Sequence, residues 1–108
     1  MDVRAKQEFI RQKATKHNVK WSRHALTKLA PETVSVVDVE IALRQAKVIE
    51  EYPHLHRHLP DCLVLTFVSP NEPIHCVVAL SEPRDYILIV TVYRPTAEEW
   101  KDDWRTRK

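Results

Sequence analysis

Three stretches decide the fold: Cys62-Leu63-Val64-Leu65-Thr66-Phe67-Val68, Ile74-His75-Cys76-Val77-Val78-Ala79-Leu80 and Tyr86-Ile87-Leu88-Ile89-Val90-Thr91-Val92-Tyr93. Each is rich in Val, Ile, Leu and Thr, the side chains that fit a pleated, half-buried surface. Five residues separate them each time, Ser69-Pro70-Asn71-Glu72-Pro73 and then Ser81-Glu82-Pro83-Arg84-Asp85. Connections that short predict hairpins, so the three strands form an antiparallel meander. Centring the hairpins on Asn71 and Pro83 pairs Phe67 with His75 and His75 with Thr91. Strict alternation then puts His75, Val77, Ala79, Ile87, Ile89, Thr91 and Tyr93 on one face with Leu63, Leu65 and Phe67. Cys62, Val64, Cys76, Val78, Leu80, Leu88, Val90 and Val92 take the other. Both faces are apolar enough to require cover, and the first is polar only where His75, Thr91 and Tyr93 meet.

Upstream, Lys47–Tyr52 reads as a further strand, stopped by Pro53. Residues 2–17 form an amphipathic helix with Val3, Ile10 and Ala14 on one side and Phe9 beside them. Val19-Lys20-Trp21 is short and extended. Ser22 caps a second helix running to Ala30, where Pro31 ends it. Ser35 with Asp38 three residues on has the reciprocal pattern of a capping box, opening a helix over 36–46 that turns Val39, Ala42, Leu43 and Ala46 inward. Downstream, Thr96 caps a predicted short helix over 97–104, whose Trp100 and Trp104 share a face and dock it. The expected fold is α+β: N-terminal helices on a four-stranded, mainly antiparallel sheet, with a short C-terminal helix. At 108 residues, 44% apolar and 30% charged, the chain is read as a single domain, 1–108.

Several chemistries are excluded by composition. The chain has no glycine. A Walker loop, a dinucleotide fingerprint and a nucleophile elbow all need one, so no cofactor held by those devices is expected. Cys62 and Cys76 are too few for a disulfide framework and read as reduced core thiols. No apolar run is long enough to span a bilayer and the N-terminus has no apolar targeting core, so the expected location is cytoplasmic. The net charge is +2, unevenly spread. Residues 1–28 hold eight Lys/Arg against two carboxylates, and the remainder nine against thirteen. That asymmetry fits a polyanion-facing end, and equally a solvated basic helix.

Four pieces, in order, resemble a known family: Trp21-Ser22-Arg23-His24-Ala25, Val48-Ile49-Glu50-Glu51-Tyr52-Pro53, Pro73-Ile74-His75-Cys76-Val77-Val78-Ala79, and Thr91-Val92-Tyr93-Arg94-Pro95 followed by Trp100. They are similar to small bacterial proteins grouped as domain-of-unknown-function family 4258, which in turn looks like a distant relative of the RelE/ParE/BrnT-type toxins. The resemblance implies a RelE/ParE-like arrangement and a toxin-like, metal-independent endoribonuclease of a toxin–antitoxin system. Implied partners are RNA, in some such proteins on the ribosome, and an antitoxin protein. Relatives tend to carry arginines and a glycine after the His-Ala pair; here the residues are Thr27-Lys28-Leu29-Ala30-Pro31.

Cleaving RNA without metal needs a base for the 2′-hydroxyl, an acid for the leaving 5′-oxygen and cations for phosphate charge. His75 matches the family's strand histidine, and an imidazole suits either proton role. Tyr93 can donate a proton or hold a phosphate. His24 lies one turn from Lys28, so both point one way from the second helix. The catalytic candidates are therefore His75, Tyr93 and His24. The substrate-binding candidates are Arg23, Lys28, Arg94 and Lys20, with Arg94 pointing away from Tyr93. The competing reading makes His75 and Tyr93 a buried, mutually satisfied polar pair in a non-catalytic protein- or nucleic-acid-binding domain. A third possibility is His54, His56 and His58, which alternation places on one side at a spacing able to hold zinc, with Asp61 or solvent as fourth ligand. No metal is assigned there, because Pro53 and Pro60 make that segment an exposed loop.

Overall fold

The structure, a computed structural model, describes residues 1–52 and 60–108. His54, His56 and His58 lie outside the described residues. In order come α1 (Val3–Thr15), β1 (Val19–Trp21), α2 (Arg23–Leu29), α3 (Val36–Ala42) continued by a 3₁₀ turn (Leu43–Gln45), β2 (Lys47–Glu51), β3 (Cys62–Ser69), β4 (Glu72–Ser81) and β5 (Tyr86–Tyr93). The three helix starts obey their caps: Asp2, Ser22 and Ser35 each accept from the backbone N–H three residues on, and Ser35 with Asp38 completes the capping box.

Two elements differ from expectation. The sheet is five-stranded and mixed, in the order β1-β5-β4-β3-β2, because the extended Val19–Trp21 pairs in parallel with Ile87–Ile89. The C-terminal helix over 97–104 is absent. Two backbone N–H groups turn back on the Thr96 carbonyl, and a narrow hairpin then bridges Trp100 to Arg107. Asp103 accounts for this: its carboxylate accepts from the backbone N–H groups of Arg105 and Thr106 and from the Thr106 hydroxyl. Such local bonds compete with a helix and win where a turn is close by. Trp104 stands at φ 60°, outside helical space.

The meander has the predicted strands in a corrected register. The β3–β4 turn is only Pro70-Asn71, and a bulge between Phe67 and Ser69 absorbs one residue, so Leu65 rather than Phe67 faces His75. The β4–β5 turn is Glu82–Asp85, closed by Asp85 in the left-handed region at φ 61°. It is centred half a residue beyond Pro83, which pairs Leu80 with Ile87 and Val78 with Ile89. Ile87 and Ile89 therefore join the Cys76 face, contrary to the simple alternation. A second step, the bulge between Val77 and Val78, returns Thr91 and Tyr93 to the His75 face. His75 and Tyr93 are thus direct cross-strand partners.

The face of Cys62, Val64, Ile74, Cys76, Val78, Ile87, Ile89 and Val92 is covered by Ile10 and Ala14 of α1, Ala25 and Leu29 of α2, and Val39 and Leu43. Both cysteines are free and buried there, and burial pushes each thiol up to about 12. Along the outer margin of β2, the Val48 N–H donates to Gln7 and Arg11 donates to the Ala46 carbonyl, while Lys6 pairs with Glu51. The opposite face, with Leu63 and Leu65 buried, carries the C-terminal hairpin and its deeply buried Trp100. Among the described residues no helix is long and apolar enough to cross a membrane.

Candidate functional site

Where β4 and β5 meet the hairpin, polar groups converge on an otherwise apolar surface. His75 is 0% exposed, and both its ring nitrogens are engaged. Nδ1 lies 3.1 Å from the Tyr93 hydroxyl and Nε2 lies 2.6 Å from the Trp104 carbonyl oxygen. A carbonyl can only accept, so in the neutral ring Nε2 carries the proton and Nδ1 is left as acceptor for the Tyr93 hydroxyl. The Trp100 ring meets the imidazole edge-on at 4.4 Å, and Tyr93 does so at 5.3 Å. Burial lowers the His75 pKa, a shift partly opposed by the Trp104 carbonyl, which favours the charged ring. Burial likewise pushes the Tyr93 hydroxyl up to about 12.

An ion pair closes this network. Arg107 donates from Nε and Nη2 to the two oxygens of Glu50, at 2.6 and 2.9 Å, and lies 4.6 Å over the Trp100 ring. That hydrogen bond holds the Glu50 carboxyl below its ordinary value. Tyr52 lies within electrostatic reach of the same pair, and burial raises its pKa. Sequence reading missed Glu50 and Arg107. A signal existed for Glu50: alternation after the core residue Val48 would bury a carboxylate. The bulge between Val48 and Glu50 resolves that conflict by turning Glu50 to the His75 face.

Tyr93 also lines a cleft of about 380 Å³ with Thr27, Lys28, Leu29, Pro31, Glu32, Ile74, Val92 and Arg94. Three of the seven predicted residues, Tyr93, Lys28 and Arg94, therefore line one concavity, and the Tyr93 hydroxyl is bonded to the buried His75. Arg94 is held by two carboxylates, Glu32 at 2.5 Å and Glu72 at 3.3 Å, so much of its charge is balanced within the protein. Lys28 is exposed, with no carboxylate paired to it among the described residues. His24 and Arg23 are exposed at the start of α2 and do not line the cleft. Lys20 lies elsewhere, 4.6 Å over the Tyr86 ring at the far end of β5. Among the described residues, no group of three or more His, Cys, Asp or Glu side chains could hold a metal ion.

The family model described as Domain of unknown function (DUF4258) matches residues 21–94. The chain belongs to the DUF4258 family. The match takes in Arg23, His24, Lys28, His75, Tyr93 and Arg94, and leaves Lys20 and the Trp100–Arg107 hairpin outside it. No curated protein and no solved structure matches this DUF4258 chain.

Proposed function

We propose that this DUF4258 domain is a toxin-type endoribonuclease that cleaves RNA by metal-independent acid/base chemistry, with Tyr93 facing the substrate and His75 behind it. The observation that carries this reading is the ordered chain Tyr93 hydroxyl, His75 Nδ1, His75 Nε2–H, Trp104 carbonyl, beginning at a residue of the cleft wall. The carbonyl fixes the tautomer that keeps Nδ1 basic, as an orienting group does in other proton relays. The 2′-hydroxyl proton would pass to the Tyr93 oxygen as the Tyr93 proton passes to Nδ1. The 2′-oxygen then attacks phosphorus, the bond to the 5′-oxygen breaks, and a cyclic phosphate forms. The resulting imidazolium is stabilised by the Trp104 carbonyl and the nearby Glu50. Lys28, in the cleft wall, offers charge to the phosphate, and His24, one turn before it on α2 but outside the cleft lining, is the candidate acid for the leaving oxygen.

RNA incubated with the protein in chelator should yield fragments with cyclic or 3′-phosphate ends. Tyr93→Phe is expected to slow cleavage about 100-fold or more, the usual scale for losing a positioned proton-transfer group. Absence of cleavage by the wild-type protein would sink the reading, as would full activity in the His75→Ala/Tyr93→Phe double variant.

A second reading is favoured by one observation. Arg94 is neutralised by Glu32 and Glu72, which leaves Lys28 as the cleft's available lysine or arginine. A phosphate transition state is poorly served by one lysine, whereas binding is not. In that version the domain binds nucleic acid or an antitoxin-like protein without turnover. Co-purification with a small partner, or tight RNA binding with intact RNA recovered, would select it.

A further inference from the structure

A second concavity, of about 380 Å³, lies between the turn after α1 and the β4–β5 turn, lined by His17, Asn18, Val19, Lys20, Arg84, Asp85 and Tyr86. Two of its members, His17 and Asp85, hold φ near 61° without being glycine. For His17 this completes a helix end in which the Asn18 N–H returns to the Lys13 carbonyl. Each turn therefore has a defined shape, and Arg84 from the second turn lines one hollow with Lys20 of β1. The carboxylate of Asp85 is paired with Lys13, and Lys16 lies within electrostatic reach of it. Lys16, Lys20 and Arg84 are exposed and carry no ion pair among the described residues.

The charge continues toward the cleft of Tyr93. Residues 9–31 contain six Lys/Arg and no carboxylate. Because β1 runs parallel to β5, the chain moves from Lys20 beside Leu88, past Arg23 and His24, to Lys28 in the cleft wall. Exposed cations thus follow the sheet margin from the Tyr86 end to the Tyr93 end, about 23 Å at roughly 3.3 Å per strand residue.

We infer that the hollow between the two turns is a phosphate-binding site, in which Lys20 and Arg84 anchor a single nucleic-acid strand that runs along the β1–α2 margin to the cleft. The choice of ligand rests on the RNA-acting reading above; the site and its test do not require cleavage. A linear polyanion suits a linear row of separated cations, and neutralising each phosphate releases counterions, which makes the site measurable through salt. The Tyr86 ring lies under the Lys20 ammonium and holds that charge at the hollow.

The test measures binding of a fluorescent, mixed-sequence single strand of about 12 nucleotides, within the usual footprint of such sites. Titrations are run at several salt concentrations in chelator, with RNA and DNA versions and with poly-glutamate as competitor. The double variant Lys20→Gln/Arg84→Gln should bind at least about 10-fold more weakly, and its salt slope should fall by about 1.4, the share of two phosphates on a single strand. Arg44→Gln/Lys47→Gln, at the β2 margin on the opposite side of the sheet from β1, should leave both quantities unchanged. Loss with RNA and DNA alike assigns the site to the phosphodiester backbone, and loss with RNA alone assigns it to RNA; either supports the proposal. Unchanged affinity and slope would overturn it. So would poly-glutamate that competes at equal charge and shows the same loss in the variant, since the surface would then fit an acidic protein. Binding that falls as expected in a protein that never cleaves RNA would leave this site standing and remove the catalytic reading alone.

Discussion

The two faces of the sheet are covered by different means. The helix side is a continuous apolar layer in which Val78, Ile87 and Ile89 pack under three helices, with cover drawn from residues 10–46. The other side is covered in part by a hairpin of the last residues, held through Trp100, the bidentate Glu50–Arg107 pair and the bond from His75 to the Trp104 carbonyl. Apolar burial is non-directional and tolerates local change, whereas a hydrogen-bonded cover depends on a few geometries. The first face stabilises the domain, and the second places a histidine and a tyrosine in fixed relation.

The sharpest way to break this contrast is one truncation on each side. Ile89→Ala should cost about 2–5 kcal/mol and Trp100→Ala about 3–5 kcal/mol in urea unfolding. The distinguishing readout is local. Trp100→Ala should abolish protection of the Lys101 and Lys108 amides, which bond within the hairpin, while Ile89→Ala lowers protection across the sheet. Equal patterns from both variants would show that the hairpin is no separate unit.

A smaller effect tests the polar bonds. The folded pKa of His75 lies below its unfolded value, so the unfolded chain binds a proton first as pH falls. Its contribution is therefore complete above about 6.5 and is lost on acidification below that, ahead of the carboxylate range. His75→Phe should cost about 1–3 kcal/mol at neutral pH, by leaving the Trp104 carbonyl and Tyr93 hydroxyl unpaired. It should also flatten the fall in stability as pH drops below about 6.5; a profile parallel to wild type there would refute the assignment.

The smallest effect concerns the backbone. His17→Gly removes a side chain from the left-handed region and is expected to stabilise by about 0.5–1 kcal/mol, after the added freedom of the unfolded chain is subtracted. A rise in the urea midpoint checks it.

Much of the fold was legible in the sequence, for identifiable reasons. Caps at Ser22 and Ser35 are local chemistry, and they formed as read. The three long strands announced themselves through β-branched runs. Alternation failed at Ile87, Ile89 and Glu50, because a bulge or an off-centre turn shifts parity by one and leaves almost no mark in composition. The Trp100–Trp104 spacing fitted a helix, but the Asp103 side chain took the local amides and made a turn. At the site, the proximity of His75 and Tyr93 followed from hairpin topology, although their direct pairing needed the corrected register. The Arg107–Glu50 pair joins residues 57 apart through a hairpin that no periodicity predicts.

One consequence lies at the margin of β2. A bare strand edge invites a strand from another molecule to extend the ladder. Here Gln7 and Arg11 already occupy backbone groups of Val48 and Ala46, so an incoming strand would first have to break two hydrogen bonds, each worth about 0.5–1.5 kcal/mol. At that margin, α1 works as a guard against sheet extension as well as a cover for the core.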